Sequence, residues 1–213
     1  MSKDNVWSDL HKSYTKQHWI DKPSIFAEQT IEYFPKQGKL LELGAGQGQD
    51  SRFFAEHRYA ITSTDIEESA LELAKSKVPA RLESQITFQK VDLSEKLPFE
   101  DSSFDVVYAH LSLHYFDYQT TVHLFQEINR VLTVGGVFAF LVNSINDPEY
   151  GTGEKLEEDY FQIDKTAKRY FSLDRTRDFT KHFQTILLDD QGETYKDREK
   201  NVHNLIRYIG RKK

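Results

Sequence analysis

The chain lacks cysteine altogether and has one methionine and two tryptophans among its 213 residues. Without cysteine there is no disulfide, no thiolate nucleophile and no zinc-thiolate site, a composition compatible with an intracellular protein. Long hydrophobic runs are missing too. The longest apolar stretch, residues 134–142, contains glycines and falls far short of the ~20 residues that cross a bilayer. Residues 1–10 mix Lys3, Asp4 and Asp9 with no apolar run, so the expectation is no secretory signal, no membrane association and a cytoplasmic location. Basic charge is also in short supply: 28 lysines and arginines face 34 acidic residues, for a formal charge of -6. That balance weighs against a duplex nucleic-acid surface, which needs lysine and arginine to neutralise phosphates. A small-molecule substrate is the expectation, and the length suits a single domain spanning residues 1–213. No metal-ligand set is read from the sequence, and the oligomeric state is left open.

Against this background one segment stands out. Leu40-Leu41-Glu42-Leu43-Gly44-Ala45-Gly46-Gln47-Gly48 reads as a short buried strand followed by a turn of three glycines, whose backbone can approach a ligand closely. Residues 49–57 read as the helix that follows. Residues 60–66 (Ala-Ile-Thr-Ser-Thr-Asp-Ile) form a second, β-branched strand that places Asp65 at its carboxyl end, where open α/β sheets bind ligands and an acid can bridge a ribose diol. A nicotinamide or flavin fingerprint requires G-x-G-x-x-G. Here the third position after Gly46 is Gln49, and the pattern is G-x-G-x-G. Glu42, two residues before Gly44, has no use at a pyrophosphate site but could act through its field on an ammonium and a sulfonium.

Glu42-Leu43-Gly44-Ala45-Gly46-Gln47-Gly48 resembles the E/D-x-G-x-G-x-G signature of class I S-adenosylmethionine-dependent methyltransferases. The resemblance covers about residues 23–211, with its specific motifs between Leu40 and Val142. It implies a Rossmann-like, doubly wound α/β fold, a mostly parallel seven-stranded sheet with an antiparallel last strand inserted beside a parallel neighbour. It also implies S-adenosyl-L-methionine as cofactor, S-adenosyl-L-homocysteine as product, and methyl transfer to a small molecule by in-line displacement. By position, Gly44, Ala45, Gly46 and Gly48 would pack their backbone on the methionyl and ribose part, with Glu42 near the methionine end. Asp65 would bond both ribose hydroxyls and Ile66 would lie against the adenine. Asp92 would accept from the adenine amine, its plainer alternative being a solvated residue at a strand end, and Leu93 would flank the ring. His110 would contact the methionine portion. Asp50 and the pair Phe53-Phe54 after the turn add some likeness to the thiopurine and tellurite branch, which handles soft nucleophiles. Two other readings are carried: an NAD-dependent oxidoreductase, and a non-catalytic protein of the same fold that binds a partner.

Either His110 or His114 could accept a proton from a hydroxyl, thiol or amine, but an anionic acceptor needs no base. Trp7, Tyr14, His18 and Trp19 in a polar stretch fit a covering segment over residues 1–22, using aromatics to desolvate a sulfonium, or ordinary packing of a terminal helix. Tyr115 lies in the turn after the fourth strand, and Asn143 and Tyr150 open residues 143–171, read as a loop and helix that form a lid on the active-site edge. Tyr160, Tyr170 and Phe171 pose the same choice between lid and packing, and Lys165, Lys168 and Arg169 either receive an anion or form a solvated face.

The rest of the chain alternates in period. Residues 23–34 predict a helix ended by Pro35 and Gly38; Ser69-Ala70-Leu71-Glu72 has capping-box spacing and predicts a helix to about Lys77. Residues 86–91 and 104–109 predict strands, 118–132 a helix and 137–142 a strand; these β-α repeats imply a parallel sheet. Residues 175–183 predict a helix, and 185–189 and 205–209 the final strands.

Overall fold

The computed structural model describes Gln17, residues 19–200 and residues 204–213. Its main sheet is built from β1 (Gly38–Leu43), β2 (Tyr59–Asp65), β3 (Ile86–Lys90), β4 (Phe104–His110), β5 (Leu132–Val142), β9 (Phe183–Gly192) and β10 (Leu205–Lys212). The spatial order is β3-β2-β1-β4-β5-β10-β9. β3, β2, β1, β4 and β5 pair in parallel, and β10 runs antiparallel to both β5 and β9, as the family resemblance implies. The order reverses between β1 and β4, which leaves a crevice at their carboxyl ends.

Two apolar layers cover the sheet, and strand alternation assigns each side chain to one of them. Along β5, Phe138, Phe140 and Val142 join a cluster with Leu41, Leu43, Val107, Phe125, Ile128 and Phe179. Val137, Ala139 and Leu141 join the opposite one with Phe26, Leu40, Phe54, Val106 and Tyr108. The first layer holds α4 (Tyr118–Val131) and α5 (Leu173–Phe179); the second holds α1 (Ile25–Thr30) and α2 (Gln49–Glu56). Leu40, Leu41, Leu43, Val106 and Val107 are fully buried because both faces of the central strands are covered.

Several elements differ from the expectation. The first helix is short: Ser24 caps it, accepting from Ala27 N–H at 3.0 Å, and after Thr30 it tightens into a 3₁₀ turn over Ile31–Tyr33. α3 (Glu68–Ser76) begins before the Ser69 box, and no side chain caps it. The entry is set instead by Asp65, whose Oδ1 accepts the Glu67 N–H at 2.9 Å and turns the chain into the helix. α5 starts at Leu173 because the Ser172 hydroxyl accepts from Arg175 N–H at 3.1 Å, and Phe183 already belongs to β9.

The largest correction concerns residues 143–171. In place of a loop and helix there is a three-stranded antiparallel meander, β6 (Glu154–Glu157), β7 (Tyr160–Ile163) and β8 (Thr166–Arg169). Asp159 and Asp164 take left-handed backbone angles (φ 59° and 50°) at its two turns, a conformation aspartate tolerates. The charge of the segment obscured the aromatic and β-branched strand Tyr160-Phe161-Gln162-Ile163 at its centre. Arg169, 2% exposed, fastens the meander to the domain: its Nε donates to Phe116 O at 3.1 Å, and its guanidinium also reaches Glu158 O at 3.2 Å and Glu157 Oε2 at 2.5 Å.

Candidate active site

The carboxyl ends of β3, β2, β1, β4 and β5 bring Asp92, Asp65, the glycine turn, His110 and Asn143 onto one edge of the sheet. The turn is held closely. Ala45 N–H donates to Thr64 O at 2.7 Å and Gly46 N–H to Asp65 Oδ2 at 2.8 Å. Gly44 has φ +72°, and a Cβ there would lie 2.4 Å from Ser112 Cβ, so both the backbone angle and the neighbour demand glycine. Ser112 in turn donates to Leu43 O at 2.6 Å, tying the loop after β4 to the end of β1. Gly48, also left-handed (φ +70°), caps α2 without a side chain.

Asp65 is 8% exposed, and each of its oxygens accepts one backbone N–H, from Gly46 and from Glu67. A carboxylate oxygen has two lone pairs, so both retain acceptor capacity for a ligand diol. Val91 N–H donates to Asp65 O at 3.0 Å and sets Asp92 beside it. Asp92 is exposed, and its Oδ1 accepts from the Ser94 amide and hydroxyl at 2.9 and 2.7 Å. Ile66 is 40% exposed whereas Leu93 is buried, a pair of apolar side chains flanking the acids. A glycine-built backbone turn, an acid with free lone pairs and apolar neighbours fit an adenosine-bearing cofactor.

Behind the turn lies a buried polar layer. Glu42 is 3% exposed and takes a hydrogen bond with the Ser51 hydroxyl, which also contacts Ser63 Oγ at 2.8 Å. Burial, then the field of Asp50, holds the Glu42 carboxyl well above its ordinary pKa, with Asp65 adding to the rise and Ser51 and Arg52 opposing it. Asp50, Ser24 and Tyr108 form the adjoining part of this layer.

The two histidines differ. His110, half-buried at the end of β4, has its pKa lowered by burial against the opposing fields of Asp50 and Asp197. His114 is 2% exposed, and burial, followed by Lys168 and His110, lowers it to about 3. Its carbonyl accepts from Arg169 N–H at 2.7 Å, its ring rests 4.3 Å from that of Tyr115, and its Nδ1 has no hydrogen-bond partner among the described residues. Neutral imidazole is therefore its form throughout the ordinary pH range.

The outer residues divide. Lys196 of α6 (Tyr195–Glu199) sits 5.3 Å over the Trp19 ring, and the Tyr195 hydroxyl donates to Pro23 O at 3.0 Å, so residues 19–24 pack against α6. Asn143 O accepts from Phe171 N–H at 2.9 Å at the root of the meander. Tyr150 belongs to the meander itself, donating to Asp159 Oδ1 at 2.7 Å and packing on Phe161 and Tyr170. Lys168 pairs with Glu149 at 2.6 Å. Trp7, Tyr14 and His18 lie outside the described residues. Sequence reasoning missed the partners of Asp50, the Ser112 contact and the Arg169 fastening, since each joins residues far apart in the chain. Among the described residues no three His, Asp or Glu side chains are grouped to hold a metal, and no helix is long and apolar enough to cross a membrane.

Residues 41–140 match the family model described as a methyltransferase domain. The chain is 29% identical over 148 residues to 27-O-demethylrifamycin SV methyltransferase from Amycolatopsis mediterranei, which covers 64% of this chain and 52% of that protein. An S-adenosylmethionine-dependent methyltransferase from Methanosarcina mazei has the same fold, with TM-score 0.71 at 20% identity over 85% of this chain and 95% of its own. So does the Burkholderia thailandensis 1,6-didemethyltoxoflavin-N1-methyltransferase with bound 1,6-didemethyltoxoflavin and S-adenosylhomocysteine, with TM-score 0.71 at 19% identity over 98% and 84%. The chain spans about half the length of the curated relatives it matches first.

Proposed function

We propose that this chain, which belongs to the class I S-adenosylmethionine-dependent methyltransferase family, transfers a methyl group to a small-molecule acceptor in the cytoplasm. The observation that carries the reading is the glycine turn bonded to Asp65 at the switch point of the sheet. S-adenosylmethionine, when bound, supplies an electrophilic methyl with its own neutral leaving group, so the protein is left with positioning and the exclusion of water.

Gly44, Ala45, Gly46 and Gly48 offer backbone to the methionyl and ribose part, and Asp65 offers lone pairs to the diol. Ile66 and Leu93 would enclose the adenine, with Asp92 accepting from its amine. His110 faces the methionine end together with Glu42. Trp19, Tyr115 and Asn143 border the acceptor side, with residues 19–24 and the 154–169 meander as its cover. Tyr150 supports the meander from within. The acid excess makes nucleic acid an unsuitable acceptor.

A base is not required by this arrangement. His114 is too weakly basic to be half-protonated near neutrality, and general-base catalysis works best with a pKa near the operating pH. His110 is the better candidate if the acceptor arrives protonated. Calorimetry tests the cofactor: binding of S-adenosylmethionine and S-adenosylhomocysteine at micromolar level, about -8 kcal/mol, is expected. Heat with NADH and none with either compound would sink the proposal. Methyl release with a panel of hydroxyl, amine and thiol acceptors then separates an enzyme from a binding protein.

A further inference from the structure

Asp50 stands in the first turn of α2, immediately behind the glycine turn, and is 2% exposed. Its carboxylate collects donors from two distant parts of the chain. Ser24 N–H reaches Oδ1 at 2.6 Å, while the Ser24 hydroxyl and the Tyr108 hydroxyl reach Oδ2 at 2.7 and 2.9 Å. The two hydroxyls also touch each other at 3.0 Å, which closes a triangle. All three donors are uncharged, and among the described residues no cation lies within ion-pair distance of Asp50. A buried carboxylate so arranged keeps its shape through hydrogen bonds, and its field is opposed only by the more distant Arg52, with which it makes no direct ion pair.

Each donor belongs to something the site needs. Ser24 caps α1 and ends the segment that packs on α6, so its bond fixes where that segment crosses the domain. Tyr108 lies two residues before His110 on β4 and opposite Glu42 in the register with β1. Phe54 of α2 packs edge-on against the Tyr108 ring at 4.9 Å and Phe26 of α1 stacks on it at 5.6 Å, so the triangle is locked from both sides. Asp50 thus joins α1, α2 and β4 at one point, and its field is felt by both Glu42 and His110.

We propose that Asp50 is a positioning residue for methyl transfer: it locks Ser24 and Tyr108 to the helix behind the glycine turn and supplies a buried negative charge toward the cationic end of the cofactor. The inference rests on the methyltransferase reading. It goes beyond that reading by moving part of the charge role from Glu42 on the strand to a residue outside the glycine signature. The removal of charge and the removal of geometry have different consequences. S-adenosylmethionine carries a sulfonium that S-adenosylhomocysteine lacks, so loss of a facing charge penalises the first more than the second.

The test uses the full chain and calorimetric affinities for both compounds. Absence of binding by the unmodified protein would overturn the methyltransferase reading, and this inference with it. Given binding, Asp50→Asn keeps the shape and the Ser24 N–H bond to Oδ1, with the amide group donating to the two hydroxyls instead of accepting from them; it should weaken S-adenosylmethionine at least about tenfold and S-adenosylhomocysteine by about threefold or less. Tyr108→Phe and Ser24→Ala keep the charge and should weaken both ligands equally, by about threefold. A purely structural role would not move the titration of His110, followed by nuclear magnetic resonance. The groups acting on His110 are Asp50 on α2, Asp197 on α6 and His114 in the following loop. Since Asp50 favours the imidazolium, Asp50→Asn should lower the His110 midpoint and Tyr108→Phe should leave it in place. Equal affinities and an unmoved midpoint in a folded Asp50→Asn protein would overturn the proposal. If circular dichroism shows that variant unfolded, Tyr108→Phe decides, and unchanged affinity for both ligands overturns it.

Discussion

The Gly46 N–H donates to Asp65 Oδ2 across 2.8 Å, which makes the turn after β1 and the acid ending β2 one hydrogen-bonded unit. Asp65 therefore acts twice, anchoring the turn and offering lone pairs outward. Asp65→Ala should cost at least about tenfold in cofactor affinity. It should also cost roughly 1–3 kcal/mol of stability, because the Gly46 and Glu67 N–H groups lose their acceptor. Asp65→Asn, which keeps one acceptor oxygen, should fall between. Calorimetry and urea denaturation on the same preparations give both numbers, and unchanged affinity in folded Asp65→Ala would remove Asp65 from the site.

Gly44→Ala tests the turn itself. The added methyl would meet Ser112 Cβ at 2.4 Å in a left-handed backbone, a strain of about 1–2 kcal/mol from the angle alone. Cofactor binding should be lost and the urea midpoint lowered. Adding Ser112→Gly should recover part of the stability, since it removes the clash and leaves the backbone cost. Full recovery would mean that the φ angle carries no strain.

Much of this site was legible because its parts are contiguous or share one edge by simple alternation. The glycine spacing, Glu42 and Asp65 lie within a single β-α-β unit, and the β-α repeat implies the parallel part of the sheet. Asp50 was visible only as an acid after the turn. Its meaning depends on Ser24, 26 positions away, and Tyr108, 58 positions away, and such contacts leave no local pattern. The meander was misread for a related reason: Glu154, Lys155, Glu157, Glu158 and Lys165 made the segment look like a solvated helix. Its strands are short and half-exposed, so they need little apolar sequence.

His114 offers a pH signature. Its folded pKa of about 3 lies below the ordinary value of 6.5, so the unfolded chain binds more protons between those limits. Its contribution to stability is complete above about pH 6.5 and is lost as the pH falls toward 3. His114→Gln should flatten the decline of the urea midpoint from pH 7 to pH 4. With a soft anionic acceptor the same variant should lose less than about tenfold in turnover, and no titration between pH 5 and 9 should vanish with it. A large loss together with disappearance of such a titration would make His114 the base.

Arg169→Ala should release the meander. Three hydrogen bonds disappear, Glu158 O loses its donor and Phe116 O keeps only the Thr121 hydroxyl at 3.3 Å, for a loss of about 2–4 kcal/mol; Glu157 is 39% exposed and can be solvated, which keeps the cost below that of a fully buried pair. Arg169→Lys should rescue little, since an ammonium cannot reach three acceptors in a fork. Hydrogen exchange should speed up across residues 154–169 while β1 and β4 stay protected. Unchanged exchange there would show that the meander is held without the Arg169 guanidinium, by strand pairing and contacts such as Arg169 N–H to His114 O.

The place of β10 has a kinetic consequence. The strands β3, β2, β1, β4 and β5 can zip together through crossovers of ordinary length as the chain collapses, but β9 reaches the rest of the sheet only through β10. Until residues 205–212 slide into that slot, β5 and β9 each present an open row of backbone donors and acceptors beside apolar faces. The sheet is complete only once β10 pairs with β5, and the open edge of β5 is exposed to mispairing until it does.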